Sequence, residues 1–136
     1  MATFAEVHSM AIHLGFVPEN VDEEGQLFTI TDLDRGINRL IVDCEHPILI
    51  LEQMIMPMPG SLYAKLVCLE LLAANRELVH GAYAYNKSQN VVTWRDTLEL
   101  SHLDLNELEA SINALSLGLS EHAGIFLRFA LFAAMD

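Results

Sequence analysis

Two cysteines in 136 residues are too few to staple a small secreted domain, and no Arg- or Lys-rich start leads into an apolar signal core. Both absences point to a reducing, cytoplasmic compartment. No apolar run reaches the roughly 18 residues a membrane span needs. The most apolar stretch, from Ala123 to Met135, is interrupted by Arg128 and reads as buried protein, so no membrane insertion is expected. Basic residues are scarce too: 7 stand against 19 acidic ones, for a net charge of -12. Such a surface repels nucleic acid and anionic membrane and keeps an apolar protein soluble. It attracts a basic partner over about one Debye length, ~8 Å at physiological salt.

Signatures of chemistry are also missing. The chain has no glycine-rich phosphate loop, no G-x-S-x-G elbow and no C-x-x-C pair, and its separated Cys44 and Cys68 support no nucleophile. His8, His13, His46, His80, His102 and His122 are dispersed without a short metal-ligand pair, and each reads as a satisfied or solvent-exposed histidine. Asp32, Asp34 and Gly36 start like a calcium loop, but the glycine comes one residue early and strand-like residues follow. Asn86-Lys87-Ser88 is a glycosylation acceptor only in a secreted protein. Glu52 and Asp96 sit beside apolar neighbours, where a raised pKa would suit acid–base work, but Arg39 and Arg95 are available to pair with them. No catalytic residue, cofactor or metal is expected.

What the chain does have is apolar, patterned sequence: 52% of it is hydrophobic, over a length that suits one domain, residues 1–136, with a single core. Phe4, Val7, Ala11 and Leu14 recur at helical spacing before Gly15, and 19–25 reads as an exposed acidic loop. Strands are predicted over 27–33 and 37–44 around the turn Asp34-Arg35-Gly36, and over 48–56 after Glu45-His46-Pro47. The third of these is apolar on both faces at Ile48 to Leu51, which predicts a central, doubly covered position. Pro57 and Pro59 end it, and a second helix is expected over 62–76 with Ser61 as its N-cap. Two further strands, 79–85 and about 92–100, precede a helix that Asp104 and Glu107 start. Gly118 and Gly124 are places for a bend or break in that helix. The order is α-β-β-β-α-β-β-α, an α+β fold with an antiparallel sheet packed against helices.

The second helix carries too much apolar surface for one face. Leu62, Leu66 and Leu69 cluster on one side while Val67, Leu71 and Leu72 lie elsewhere, so a second cover is needed, either the last helix or another subunit. Three more features suit protein binding. Met54, Met56 and Met58 are adaptable thioethers, the first helix can leave a groove beside it, and the first hairpin has an edge to which an extended peptide can add.

The order of elements, the acidic balance, the length and the run Leu71-Leu72-Ala73-Ala74-Asn75 together resemble the class I type III secretion chaperones of the Tir-chaperone type. The YbjN-like bacterial proteins look similar. In the secretion family a comparable Leu-Leu-x-Ala-Asn ending of helix two leads into a β-hairpin and a Leu-rich last helix, as Val79 to Leu119 does here. The resemblance covers almost the whole chain. It implies a non-enzymatic holdase without ATP, a homodimer joined through Leu62, Leu66 and Leu69, and a protein client held in extended form. Phe4, Val7, Leu27 and Phe28 would border the client groove, with Met54 and Met56 as further partner-binding positions. The YbjN-like alternative implies a regulatory partner and no link with secretion. One departure is the apolar end, Phe126, Phe129, Leu131 and Phe132, which would cover the usual client surface or form another interface.

Overall fold

The computed structural model describes the backbone of residues 1–135 and side chains through residue 130. Helix α1 (Phe4–His13) starts where the Thr3 hydroxyl accepts the Glu6 N–H at 3.2 Å, and it buries Val7 and Ala11. Gly15, at φ +95°, ends it in a conformation that costs other residues energy. Four strands follow: β1 (Glu19–Asp22), β2 (Leu27–Asp32), β3 (Ile37–Glu45) and β4 (Ile48–Pro57). Helix α2 (Ser61–Asn75), strands β5 (Ala82–Asn86) and β6 (Val91–Glu99), and helices α3 (Leu105–Glu121) and α4 (Ala123–Met135) complete the chain. The six strands form one antiparallel sheet in the order β1-β2-β3-β4-β6-β5.

The predicted α+β order holds, with two refinements. Glu19–Asp22 is an edge strand rather than loop. All four of its residues are exposed, so it carries no alternating pattern, and pairing with β2 supplies its regularity. The last helix is broken at His122, between the two glycines. Gly118 there admits Leu78 and the Tyr83 hydroxyl onto the α3 backbone: a Cβ would lie 2.7 Å and 3.2 Å from them. The α2 N-cap is Gly60 and not Ser61, which is already helical.

Cross-strand register puts Phe28, Val42, Leu51 and Asp96 in one row, and residues directly opposite one another project to the same side. Helices cover that side. Phe4 and His8 pack on Phe28 with ring centroids 6.0 and 5.4 Å apart, Ser111 of α3 reaches Asp96, and Phe126 of α4 meets Tyr83 at 5.2 Å. The opposite row, Thr29, Ile41, Glu52 and Arg95, lies on a face without helices, where Ile41 is 41% exposed. Strand β4 is therefore central but covered on one side only. Leu49, Leu51 and Gln53 are buried, and Ile48 and Ile50 are half-buried.

Candidate protein-interaction site

Helix α2 packs one narrow stripe inward: Val67, Leu71 and Ala74 are buried. Leu62, Leu66 and Leu69 follow at steps of four and three on the far side and are 74, 52 and 54% exposed, with Leu72 at 66%. The two stripes face apart because 3.6 residues make a turn. Helix α4 lies along the flank of α2, tied by Arg128 to Glu70 at 3.3 Å, and does not cover the leucine row. Of the two covers open to this helix, the last helix of the same chain is thus ruled out for these leucines.

The apolar end is used in part by the core. Phe129 is buried with Arg128 over its ring, and Phe126 is half-buried on Tyr83. The side chains of Leu131 and Phe132 lie outside the described residues.

The expected partner-binding residues do not share one surface. Val7 and Phe28 are fully buried between α1 and the sheet, where they form its floor and not a rim. Leu27 alternates with Phe28 and so points to the opposite, open face, half-buried. Met54 is 55% exposed on that same open face, but a bulge between Met54 and Met56 shifts the alternation and turns Met56 into the core. Only Phe4, half-buried, borders a groove beside α1. That groove, of about 500 Å³, runs between α1 and β1 and is lined by Phe4, His8, Val21, Glu23 and Gln26.

Charge distinguishes this end of the molecule. The first 34 residues hold seven carboxylates and no Lys or Arg. The edge strand β1 adds unpaired backbone groups along the groove, a feature that periodicity did not reveal.

A second cleft, of about 200 Å³, separates α2 from β5 and β6 and is lined by apolar side chains such as Met58, Leu71, Leu72 and Val92. The two carboxylates singled out for acid–base work are engaged. Glu52 accepts from the Thr93 hydroxyl at 3.0 Å and lies 3.9 Å from Arg95. Asp96 accepts from Ser111 at 2.7 Å and from the Thr97 N–H at 2.9 Å. Buried Gln53, overlooked by pattern, is satisfied at both ends: it donates to the Gly36 carbonyl and accepts from the Asn38 N–H, each at 3.0 Å.

A helix-backed antiparallel sheet with an uncovered leucine row and a groove beside its first helix is the architecture of a protein-interaction module. The chain belongs to the CesT_Tir_1 family, whose model matches residues 1–132. Among curated proteins none matches in sequence. Solved structures share the fold. YbjN, a putative transcription regulator from E. coli, is similar with a TM-score of 0.67 at 11% identity, over 90% of this chain and 92% of that one. The ExoU–SpcU heterodimeric complex from the type III secretion system of Pseudomonas aeruginosa gives 0.59 at 14% identity, over 88% and 96%. The HopA1–SchA chaperone–effector complex gives 0.58 at 13% identity, over 87% and 94%. The family and fold expected from the Leu71–Asn75 run and its neighbours are those found. Among the described residues no helix is long and apolar enough to cross a membrane.

Proposed function

We propose that this protein is a cytoplasmic, non-enzymatic chaperone or chaperone-like adaptor that holds an extended segment of a partner protein. In the same reading it pairs with a second copy of itself through Leu62, Leu66 and Leu69. The exposed leucine row on α2 carries this reading, in a family member whose fold recurs in a chaperone–effector complex and in a heterodimeric complex of a type III secretion system. Fully burying such a side chain gains about 1.5–3 kcal/mol, so a face of them is stabilised by being covered.

The groove between α1 and β1 suits the client. Phe4 and Val21 offer apolar contact, the β1 edge offers backbone pairing, and the surrounding carboxylates favour basic side chains. Val7 and Phe28 support the floor from beneath. Leu27 and Met54 serve a segment that crosses the sheet edge onto the open face, with Met56 anchoring the bulge.

Sedimentation velocity at micromolar concentration tests the pairing: the wild type should run as a dimer and Leu66→Asp as a folded monomer. A monomeric wild type ends that part of the reading. Affinity capture from the native cell, with mass spectrometry and a truncation map, tests the client. One stoichiometric protein should be recovered through a short segment and lost with Phe4→Asp, and recovery of none counts against a chaperone. The likeness to YbjN favours a second reading, a regulatory interaction module without secretion. An exported protein as the captured partner supports the first reading, and a regulator supports the second.

A further inference from the structure

Glu77 lies just beyond α2, while Glu121 and His122 stand at the break between α3 and α4, and folding brings one ligand atom of each within 4.8 Å of the others. His122 is only 6% exposed. Its Nδ1 is 2.8 Å from the Tyr83 hydroxyl, which fixes the ring, and its Nε2 is buried without a hydrogen-bond partner. That nitrogen points at the cluster: the nearest Glu77 oxygen is 3.6 Å away, too far for a hydrogen bond. Among the described residues neither carboxylate forms an ion pair with Lys or Arg. Both face Tyr83, whose phenol is pushed well above its usual pKa by burial and then by the charges of Glu121 and Glu77.

We propose that Glu77, Glu121 and His122 bind one zinc-class divalent cation. Zinc bonds to nitrogen and carboxylate oxygen of about 2.0–2.2 Å place neighbouring tetrahedral ligands roughly 3.4 Å apart. The 3.6 Å between His122 Nε2 and Glu77 is close to that edge and longer than a hydrogen bond. An imidazole ligand selects zinc and its first-row neighbours over magnesium and calcium. With the metal on Nε2, the proton resides on Nδ1 and is donated to the Tyr83 oxygen, the outer-shell contact that sets the tautomer. Water completes the fourth position. The ion ties the end of α2, and with it the exposed leucine row, to the α3–α4 break.

Calorimetric titration of chelator-treated protein with ZnCl2 tests the site, in a Cys68→Ser background that removes the exposed thiol. One equivalent per chain should bind, the melting temperature should rise with zinc, and MgCl2 should neither bind tightly nor compete. Glu77→Gln and Glu121→Gln change exposed residues, so both variants should fold with the metal-free melting temperature nearly unchanged. Each should weaken zinc at least ~10-fold, since loss of even an outer-shell partner of a ligand costs about that much. Failure of the wild type to bind zinc at ~100 µM, about −5.5 kcal/mol on the affinity scale, overturns the proposal. So does unweakened, wild-type affinity in both glutamine variants, which assigns the metal to other histidines.

Discussion

The Asn75 side chain clasps both backbone groups of Tyr83: its Oδ1 accepts the Tyr83 N–H at 2.7 Å and its Nδ2 donates to the Tyr83 carbonyl at 3.1 Å. Tyr83 lies on β5, an edge strand. An edge strand leaves backbone groups unpaired, and here the last residue of α2 takes the place of the missing neighbour. The Leu71-to-Asn75 run therefore has a physical meaning. Leu71 and Ala74 seat the helix on the core, Leu72 stays on the surface, and Asn75 fastens the helix end to the hairpin.

Asn75→Ala removes both bonds at once and leaves a half-buried N–H and C=O without their partner. A loss of about 2 kcal/mol is expected, read as a lower midpoint in urea with an unchanged slope. Asn75→Asp keeps the acceptor for the shorter bond and should lose less. Equal stability of the alanine variant and the wild type would remove Asn75 from its fastening role.

Gly81 should be intolerant of any side chain. Its φ is +75°, and a Cβ there would lie 2.5 Å from two ring carbons of Trp94, itself fully buried. Gly81→Ala should cost on the order of 2–4 kcal/mol, from left-handed strain plus overpacking, with a change in Trp94 fluorescence. Gly124 is the contrast: it is helical, with nothing within 4 Å of its added Cβ. Gly124→Ala should gain up to about 1 kcal/mol.

How much was legible follows from which residues advertise their surroundings. Alternation in Val92 to Leu100 and helical spacing in Leu105 to Leu115 reveal strand and helix; the structure forms both elements, but the wet face of the strand begins at Arg95, because Thr93 on the same side is buried. The surplus apolar surface of α2 was readable for a related reason, since Leu62, Leu66 and Leu69 cannot share a face with Val67 and Leu71. Binding positions were harder. Val7 and Phe28 have the same pattern whether they line a groove or fill a core, and the structure puts them in the core. Met56 escaped because a bulge moves it out of phase, and β1 because an edge strand needs no apolar residues. The meeting of Tyr83 with His122 is tertiary, and neither residue has a local signal for it.

Asp43 gives the fold a specific pH dependence. Burial, then the charge of Glu45 and a hydrogen bond with it, raises this carboxyl from 3.8 to about 6. A raised acid destabilises the folded state when ionised. Its favourable contribution is complete below pH 3.8 and is lost as pH climbs through 6. Asp43→Asn should therefore stabilise the protein at pH 8, by about 1 kcal/mol once solvent screening is allowed for, and the gain should vanish in acid. Denaturant titrations of both proteins at the two extremes check this, and a gain independent of pH would assign the effect to something other than ionisation.

The two thiols should separate cleanly in reactivity. Cys44 is 4% exposed on the core side of β3, and burial, followed by the charges of Asp43 and Glu45, pushes its pKa up to about 11. Alkylation proceeds through the thiolate, so both access and ionisation protect it. Cys68 is exposed and lines the cleft between α2 and β5, away from the row of Leu62, Leu66 and Leu69. Iodoacetamide at neutral pH should label Cys68 in the native protein and Cys44 only after unfolding in guanidinium, as peptide mass mapping would show. Cys68 should stay reactive in a dimer formed through the leucine row, because that interface leaves the cleft uncovered. Protection of Cys68 at concentrations where the protein dimerises, relieved by dilution or by Leu66→Asp, would instead extend the interface around the helix into the cleft.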